Sequence, residues 1–247
     1  MELALVSLAP GLALGSFLNV VAARVPRRTS IVSPASACME CATPISWRDN
    51  IPLLSYLVLR GRCRHCGTKI SPLYPAVELA TAVLVAACVL DFGLSGKALV
   101  GAIFCAVLVA VTATDLTHRI IPNRIVLPAF VVILVLQIVL EPSPQWVLGA
   151  LAASGFLFLA VLAYPAGMGM GDVKLALVMG AALGKTVPVA LMLGMFAALV
   201  PAAFLLARHG SAARKMGIPF GPFLALGSVV ALFFGEQLLD AYWALLA

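Results

Sequence analysis

Apolar residues run in long blocks separated by short polar links along most of the chain. The blocks fall at approximately 3–22, 74–91, 97–114, 124–140, 145–164, 172–185, 187–207 and 222–245. A helix needs roughly 20 mainly apolar residues to cross a bilayer, so the pattern predicts an all-α polytopic membrane protein with about eight transmembrane helices. The sixth block is the shortest, and Gly184, Lys185 and Pro188 interrupt the run before the seventh. It reads as a shortened or re-entrant helix, which is tolerated at membrane depth only where protein or a water-filled cavity covers it.

One segment breaks the pattern. Residues 24–73 contain several prolines, four of the six cysteines and no long apolar run. The chain is thus divided into a first transmembrane helix (1–23), a cytoplasmic loop domain (24–73) and a transmembrane core (74–247). The N-terminal stretch lacks a basic n-region and is expected to be a retained span, not a cleaved signal. No internal repeat or low-complexity tract stands out, and the alanine-rich spans suit close helix packing in lipid.

Composition agrees with lipid as the solvent. Hydrophobic residues make up 63% and charged residues 11%, where a soluble domain carries about 25% charged. Mean hydropathy is +1.10. The net charge of +6 comes with no aromatic-interleaved basic patch, so nucleic acid is not an expected partner; membrane lipid is. Its placement sets the orientation. With 24–73 inside and eight spans followed outward, only Lys97 and Lys185 of the 16 basic residues face outside. Basic residues are retained on the cytoplasmic side, so both termini are expected outside and the loop in the cytoplasm, in a multi-pass membrane protein.

The loop is too small for a sizeable core and needs another source of stability. Cys38-Met-Glu-Cys41 and Cys63-Arg-His-Cys66 form two C-x-x-C pairs with a spacer like that of zinc ribbons. Cys38, Cys41, Cys63 and Cys66 are therefore candidate ligands of a structural Zn2+ held by four thiolates, and the reducing cytoplasm disfavours disulfides. Redox-active thiols are the competing reading. Gly67 permits the tight turn behind the second pair. Cys88 and Cys105 fall in spans and read as packing residues.

Acidic residues are few enough to inspect singly. Glu78, Asp115 and Asp172 lie beside spans at the inner face. Asp115 closes the third span in Thr114-Asp115-Leu116-Thr117-His118-Arg119, and Asp172 opens the sixth in Gly169-Met170-Gly171-Asp172-Val173-Lys174. Ionisable groups at membrane depth are costly and point to function. Two carboxylates sharing a site titrate as a split pair, so one can act as base while the other stays protonated. That is the aspartic-protease arrangement. Asp172, at a helix N-terminus, is the expected lower-titrating partner, and Lys174 would favour its charged form. Taken singly, Asp172 could cap a helix and Asp115 could pair with Arg119. Paired membrane carboxylates also serve proton relays, so a proton-coupled transporter with a zinc-stabilised cytoplasmic cap is the alternative.

An ordered series of segments resembles the bacterial type IV prepilin peptidases, the leader peptidase/N-methyltransferases of the GxGD intramembrane aspartic proteases. It comprises Gly15-Ser16-Phe17-Leu18-Asn19, both cysteine pairs, Trp47-Arg48-Asp49-Asn50-Ile51-Pro52, Arg60-Gly61-Arg62-Cys63, Tyr74-Pro75-Ala76-Val77-Glu78, the Asp115 segment with Ile121-Pro122-Asn123, Gly169-Met170-Gly171-Asp172, and Ile218-Pro219-Phe220-Gly221-Pro222-Phe223. One departure is Arg48, where an aromatic residue is expected. The resemblance implies that Asp115 and Asp172 are catalytic, with Gly169, Gly171 and Lys174 in the active-site loop at the cytoplasmic face. It implies prepilin and pseudopilin substrates whose short basic leader is removed, and methylation of the new N-terminus by S-adenosylmethionine. No glycine-rich nucleotide-binding unit is visible, and Glu78 is the candidate for binding the new amine or the methyl donor.

Overall fold

The computed structural model describes residues 2–165, 167–210 and 217–246; Arg214 and Lys215, counted above among the inner basic residues, lie outside the described residues. It divides into two compact units, Met1–Thr114 and Asp115–Ala247.

In the first unit α1 (Glu2–Arg24) packs against α3 (Leu73–Phe92). The contact is made by small residues one turn apart. A Cβ on Gly11 would lie 2.7 Å from the Ala82 Cα, and one on Gly15 would lie 2.6 Å from the Glu78 Cα, so only glycine lets these backbones meet. In lipid, where water expels nothing, such close van der Waals packing is what holds helices together. The Asn19 amide donates to the Tyr74 carbonyl at 3.0 Å, placing α1 antiparallel to α3 in register. A short α2 (Leu54–Val58) sits in the loop between them, and α4 (Gly96–His118) follows.

In the second unit α7 (Met170–Leu183) is enclosed by α5 (Asn123–Leu140), α6 (Gln145–Ala163) and α9 (Gly221–Leu246). A 3-10 turn, Gly184–Thr186, leads into α8 (Val187–His209), which pairs with α9. Gly149 of α6 meets Gly180 of α7 backbone to backbone, and Gly227 of α9 meets Ala190 and Gly194 of α8. Gln137, the buried polar residue of α5, donates to the Ala182 carbonyl at 2.9 Å. Almost every α7 residue from Asp172 to Leu183 is buried. This is why α7 can be short: from Asp172 onward it is largely covered by protein, not lipid.

Among the described residues, seven helical stretches are long and apolar enough to cross a membrane, so the chain is a multi-pass membrane protein. The eight expected spans fall in seven such stretches because α7 and α8 run on across the 3-10 turn as one, Met170–His209. By itself α7 has 14 residues, about 21 Å of rise against a hydrocarbon core of about 30 Å.

The loop contains a repeat that the sequence reading passed over. Ser36–Ser46 and Gly61–Ser71 share C-x-x-C-(Ala/Gly)-Thr-x-Ile-Ser at an offset of 25 positions. They also share a fold. Cys38 N–H donates to the Thr43 carbonyl and Ala42 N–H to Cys38; Cys63 N–H donates to Thr68 and Gly67 N–H to Cys63. Single bridges, Ala37 with Pro44 and Arg62 with Lys69, close the two hairpins.

Candidate active site and metal centre

The two knuckles bring their thiols together. The Sγ atoms of Cys38, Cys41, Cys63 and Cys66 all lie within 4.8 Å of one another, and Cys38 and Cys66 are 3.7 Å apart. Tetrahedral zinc with bonds of about 2.3 Å requires sulfur separations of about 3.8 Å, so the donor set is able to hold such an ion. Hydrogen bonding with the Thr43 hydroxyl, and a bond from its backbone, bring the Cys41 thiol down to about 6, and backbone bonds from Cys66 and His65 lower that of Cys63. At Cys66 the backbone bond from Thr68 is outweighed by desolvation and the three neighbouring sulfurs, which push it up to about 11. Thiols this close resist simultaneous ionisation unless a cation joins them. Asp49 is held by Arg64 at 2.6 Å, which ties the Trp47–Asn50 turn to the second knuckle. Cys88 and Cys105 are buried in helices, as expected of packing residues.

Glu78 is buried in α3 and accepts the Leu53 backbone N–H at 2.8 Å. Leu53 has φ of 58°, in the left-handed region that side chains avoid. The carboxylate thus fixes a strained turn at the start of α2.

The second unit holds both aspartates, each buried. Asp172 lies in the first turn of α7, and its Oδ2 accepts the Gly169 N–H at 3.3 Å. Gly169 is the residue before the helix and has no side chain, so the cap runs one way, from the third helical position back to the entering backbone. Gly171 faces Ile121, whose Cβ would stand 2.9 Å from a Cβ placed there. Asp115, near the end of α4, accepts the Gly221 N–H at 2.9 Å. Gly221 is the first residue of α9, and its own Cβ would lie 2.9 Å from the Asp115 Oδ2.

Both aspartates face a helix N-terminus, Asp172 that of α7 and Asp115 that of α9. Lys174 turns its ammonium to the Asn123 Oδ1 at 3.0 Å, linking α7 to the start of α5. Gly221 was legible only as part of a family-like tail.

The chain matches the family described as Bacterial Peptidase A24 N-terminal domain over residues 10–92, and the Type IV leader peptidase family over residues 102–203. It is 39% identical over 237 residues to the Prepilin leader peptidase/N-methyltransferase of Bacillus subtilis (strain 168), covering 94% of each chain. The chain belongs to the prepilin leader peptidase/N-methyltransferase family. A relative of the same name in Burkholderia pseudomallei (strain 1026b) is 36% identical over 262 residues, covering 91% of this chain and 83% of that one. One in Pseudomonas putida is 34% identical, with 92% and 89% covered. No solved structure matches. Membership makes the chain an enzyme of the aspartic-peptidase kind, and the family's two matched segments contain, respectively, the cysteine knuckles and both aspartates.

Proposed function

We propose that this enzyme cleaves the short basic leader from type IV prepilins and pseudopilins, with Asp115 and Asp172 as its two catalytic carboxylates at the cytoplasmic membrane face. The observation that carries the reading is the placement of both side chains, each buried and each held by one glycine N–H, Gly221 and Gly169. A single backbone bond leaves each carboxylate lone pairs for water or substrate. The ionised carboxylate takes a proton from the attacking water while the protonated one donates to the scissile carbonyl oxygen. Collapse of the tetrahedral intermediate breaks the C–N bond and returns a proton to the leaving amine. Gly171 and Gly221 act as spacers, where a larger residue would press on Ile121 or on Asp115.

In this reading the four cysteines hold a structural Zn2+ that gives the loop the centre its size denies it. The relatives' name includes N-methyltransferase, and methylation of the new N-terminus with S-adenosylmethionine belongs to the proposal as a second activity. Glu78 is buried and accepts the Leu53 N–H, which anchors the loop; its remaining lone pairs keep it the candidate for binding the new amine or the methyl donor.

The test is cleavage of a prepilin in liposomes by wild type, Asp115→Asn and Asp172→Asn, read by mass spectrometry with S-adenosylmethionine present. Both folded variants should lose at least about 10³-fold in turnover, the scale seen when one member of a catalytic set is removed. Wild-type rates in either variant would overturn the two-carboxylate mechanism and turn attention to ion flux. Cleaved but unmethylated product from wild type would leave the peptidase and remove the second activity.

A further inference from the structure

We propose that α2 and the Trp47 turn form a lipid-binding surface, seated at the boundary between headgroups and acyl chains of an anionic leaflet. The first argument is depth. Leu53, which opens α2, donates its N–H to Glu78 at 2.8 Å. Glu78 lies five residues beyond Leu73, the first residue of the apolar helix α3, or about 8 Å along it. The Asn19–Tyr74 bond aligns the inner end of α1 with the same turn of α3. The start of α2 is therefore fastened to the side of a membrane-crossing helix and not held out in the cytoplasm.

The second argument is the face that α2 presents. Leu54, Leu57 and Val58 are spaced i, i+3, i+4 and therefore share one side of the helix. They are 54, 70 and 66% exposed. Ser55 turns the other way: it is buried, accepts from Ile51 N–H and donates to the Arg48 carbonyl. That pair of bonds locks α2 to the Trp47–Asn50 turn, where Trp47 is 75% exposed. Tyr56 packs against Gly61 at the entry to the second knuckle, which ties α2 to that knuckle as well. An apolar helix face beside a tryptophan is the composition that settles at a membrane interface.

The third argument is charge. Arg48, Arg60 and Arg62 are exposed around this face, and the Arg48 guanidinium stands 5.3 Å over the Trp47 ring. The nearby acid, Asp49, is neutralised by Arg64. Residues 24–73 hold eight basic residues and two acidic ones, so the face attracts anionic headgroups and repels a basic leader peptide.

The experiment uses the full chain in nanodiscs of phosphatidylcholine with phosphatidylglycerol. The emission lost in Trp47→Phe isolates Trp47 from the other two tryptophans. The expected result is that this share is blue-shifted, quenched by lipid brominated near the glycerol end and shielded from iodide. Leu57→Glu with Val58→Glu should reverse all three while thiol-bound metal is retained, and Arg48→Gln with Arg60→Gln should reduce the quenching only in anionic discs. Trp47 emission open to iodide and untouched by brominated lipid, with the metal in place, would overturn the proposal. So would protection of Trp47 by a leader peptide in place of lipid, which would assign the face to substrate. Equal quenching in wholly zwitterionic discs, unaltered by the arginine substitutions, would overturn the assignment to anionic headgroups.

Discussion

Asp115 and Gly221 stand 106 residues apart in sequence and 2.9 Å apart in space. Neither the spacing of polar residues nor the period of any helix carries that relation, whereas Asp172 and Gly169 are legible together because they share one turn. The consequence belongs to single atoms. A Cβ at position 221 would meet the Asp115 Oδ2 at 2.9 Å and its Cβ and Cγ at 3.4 Å, tighter than ordinary contact. Gly221→Ala should displace the carboxylate by a few tenths of an ångström without unfolding α9, whose start would gain a better helix former. Misplacement on the ångström scale costs catalysis up to about 100-fold. We expect turnover of prepilin to fall roughly 10- to 100-fold, with KM and thermal stability in detergent close to wild type. A wild-type turnover number would show that the Asp115 position is not set by α9. Glu78 shows the reverse situation: its polarity at membrane depth made it conspicuous in sequence, yet its partner, the Leu53 backbone, explains it as an anchor.

The repeated knuckles allow a comparison within one chain at the level of elements. Both hairpins place the residue after the second cysteine at positive φ, 54° at Ala42 and 71° at Gly67. The first therefore carries a side chain in a region that costs roughly 1–2 kcal/mol for residues with a Cβ, while the second does not. A Cβ at Gly67 would meet nothing within 4 Å, so only backbone strain is at issue. Release of the bound metal to a chromophoric chelator should accelerate in Gly67→Ala, by up to about tenfold for 1.4 kcal/mol, and slow or stay unchanged in Ala42→Gly. The opposite order would mean that the turn geometry does not limit the metal site. The C-x-x-C pairs and their zinc-ribbon spacing were readable because thiolate chemistry demands cysteine. The repeat around them escaped notice because the backbone pattern it encodes tolerates alanine for glycine and proline for lysine. Likewise the apolar blocks announced every long helix. The close approaches of Gly149 to Gly180 and of Gly11 and Gly15 to α3 emerge only when two helices are seen together.

For the whole molecule, the number of crossings decides where the C-terminus lies. Seven stretches qualify by length because Met170–His209 is taken as one run of 40 residues. A straight helix of that length would rise about 60 Å, twice the hydrocarbon thickness. Contacts within the second unit argue for a fold-back instead. Gly194 of α8 packs on Phe223 and Leu224, Gly227 on Ala190, and Gly235 on Thr186, so α8 runs antiparallel to α9. The Asp115–Gly221 bond fixes the start of α9 at the level where α4 ends. Lys185 pairs with Glu236 at 3.0 Å, and Glu236 lies 15 residues into α9, or about 22 Å away along the axis. We therefore expect the 3-10 turn near the face opposite the aspartates, with α7 and α8 crossing separately. Charge agrees: eight crossings leave only Lys97 and Lys185 of the 16 basic residues outside, whereas seven would send Arg208, Arg214 and Lys215 outside as well. That violates the retention of basic residues at the cytoplasmic side. Reporters fused to each end test the count, since an even number of crossings puts both ends on one side. We expect a C-terminal alkaline phosphatase to be active and a C-terminal GFP to be dark, matching reporters at the N-terminus. An active phosphatase inserted near Lys185, with a bright GFP after His209, would place the turn outside and the α8 end inside. A C-terminus on the cytoplasmic side would require α7 and α8 to make one crossing, which would put the start of α9 on the face opposite the end of α4 and break the Asp115–Gly221 bond.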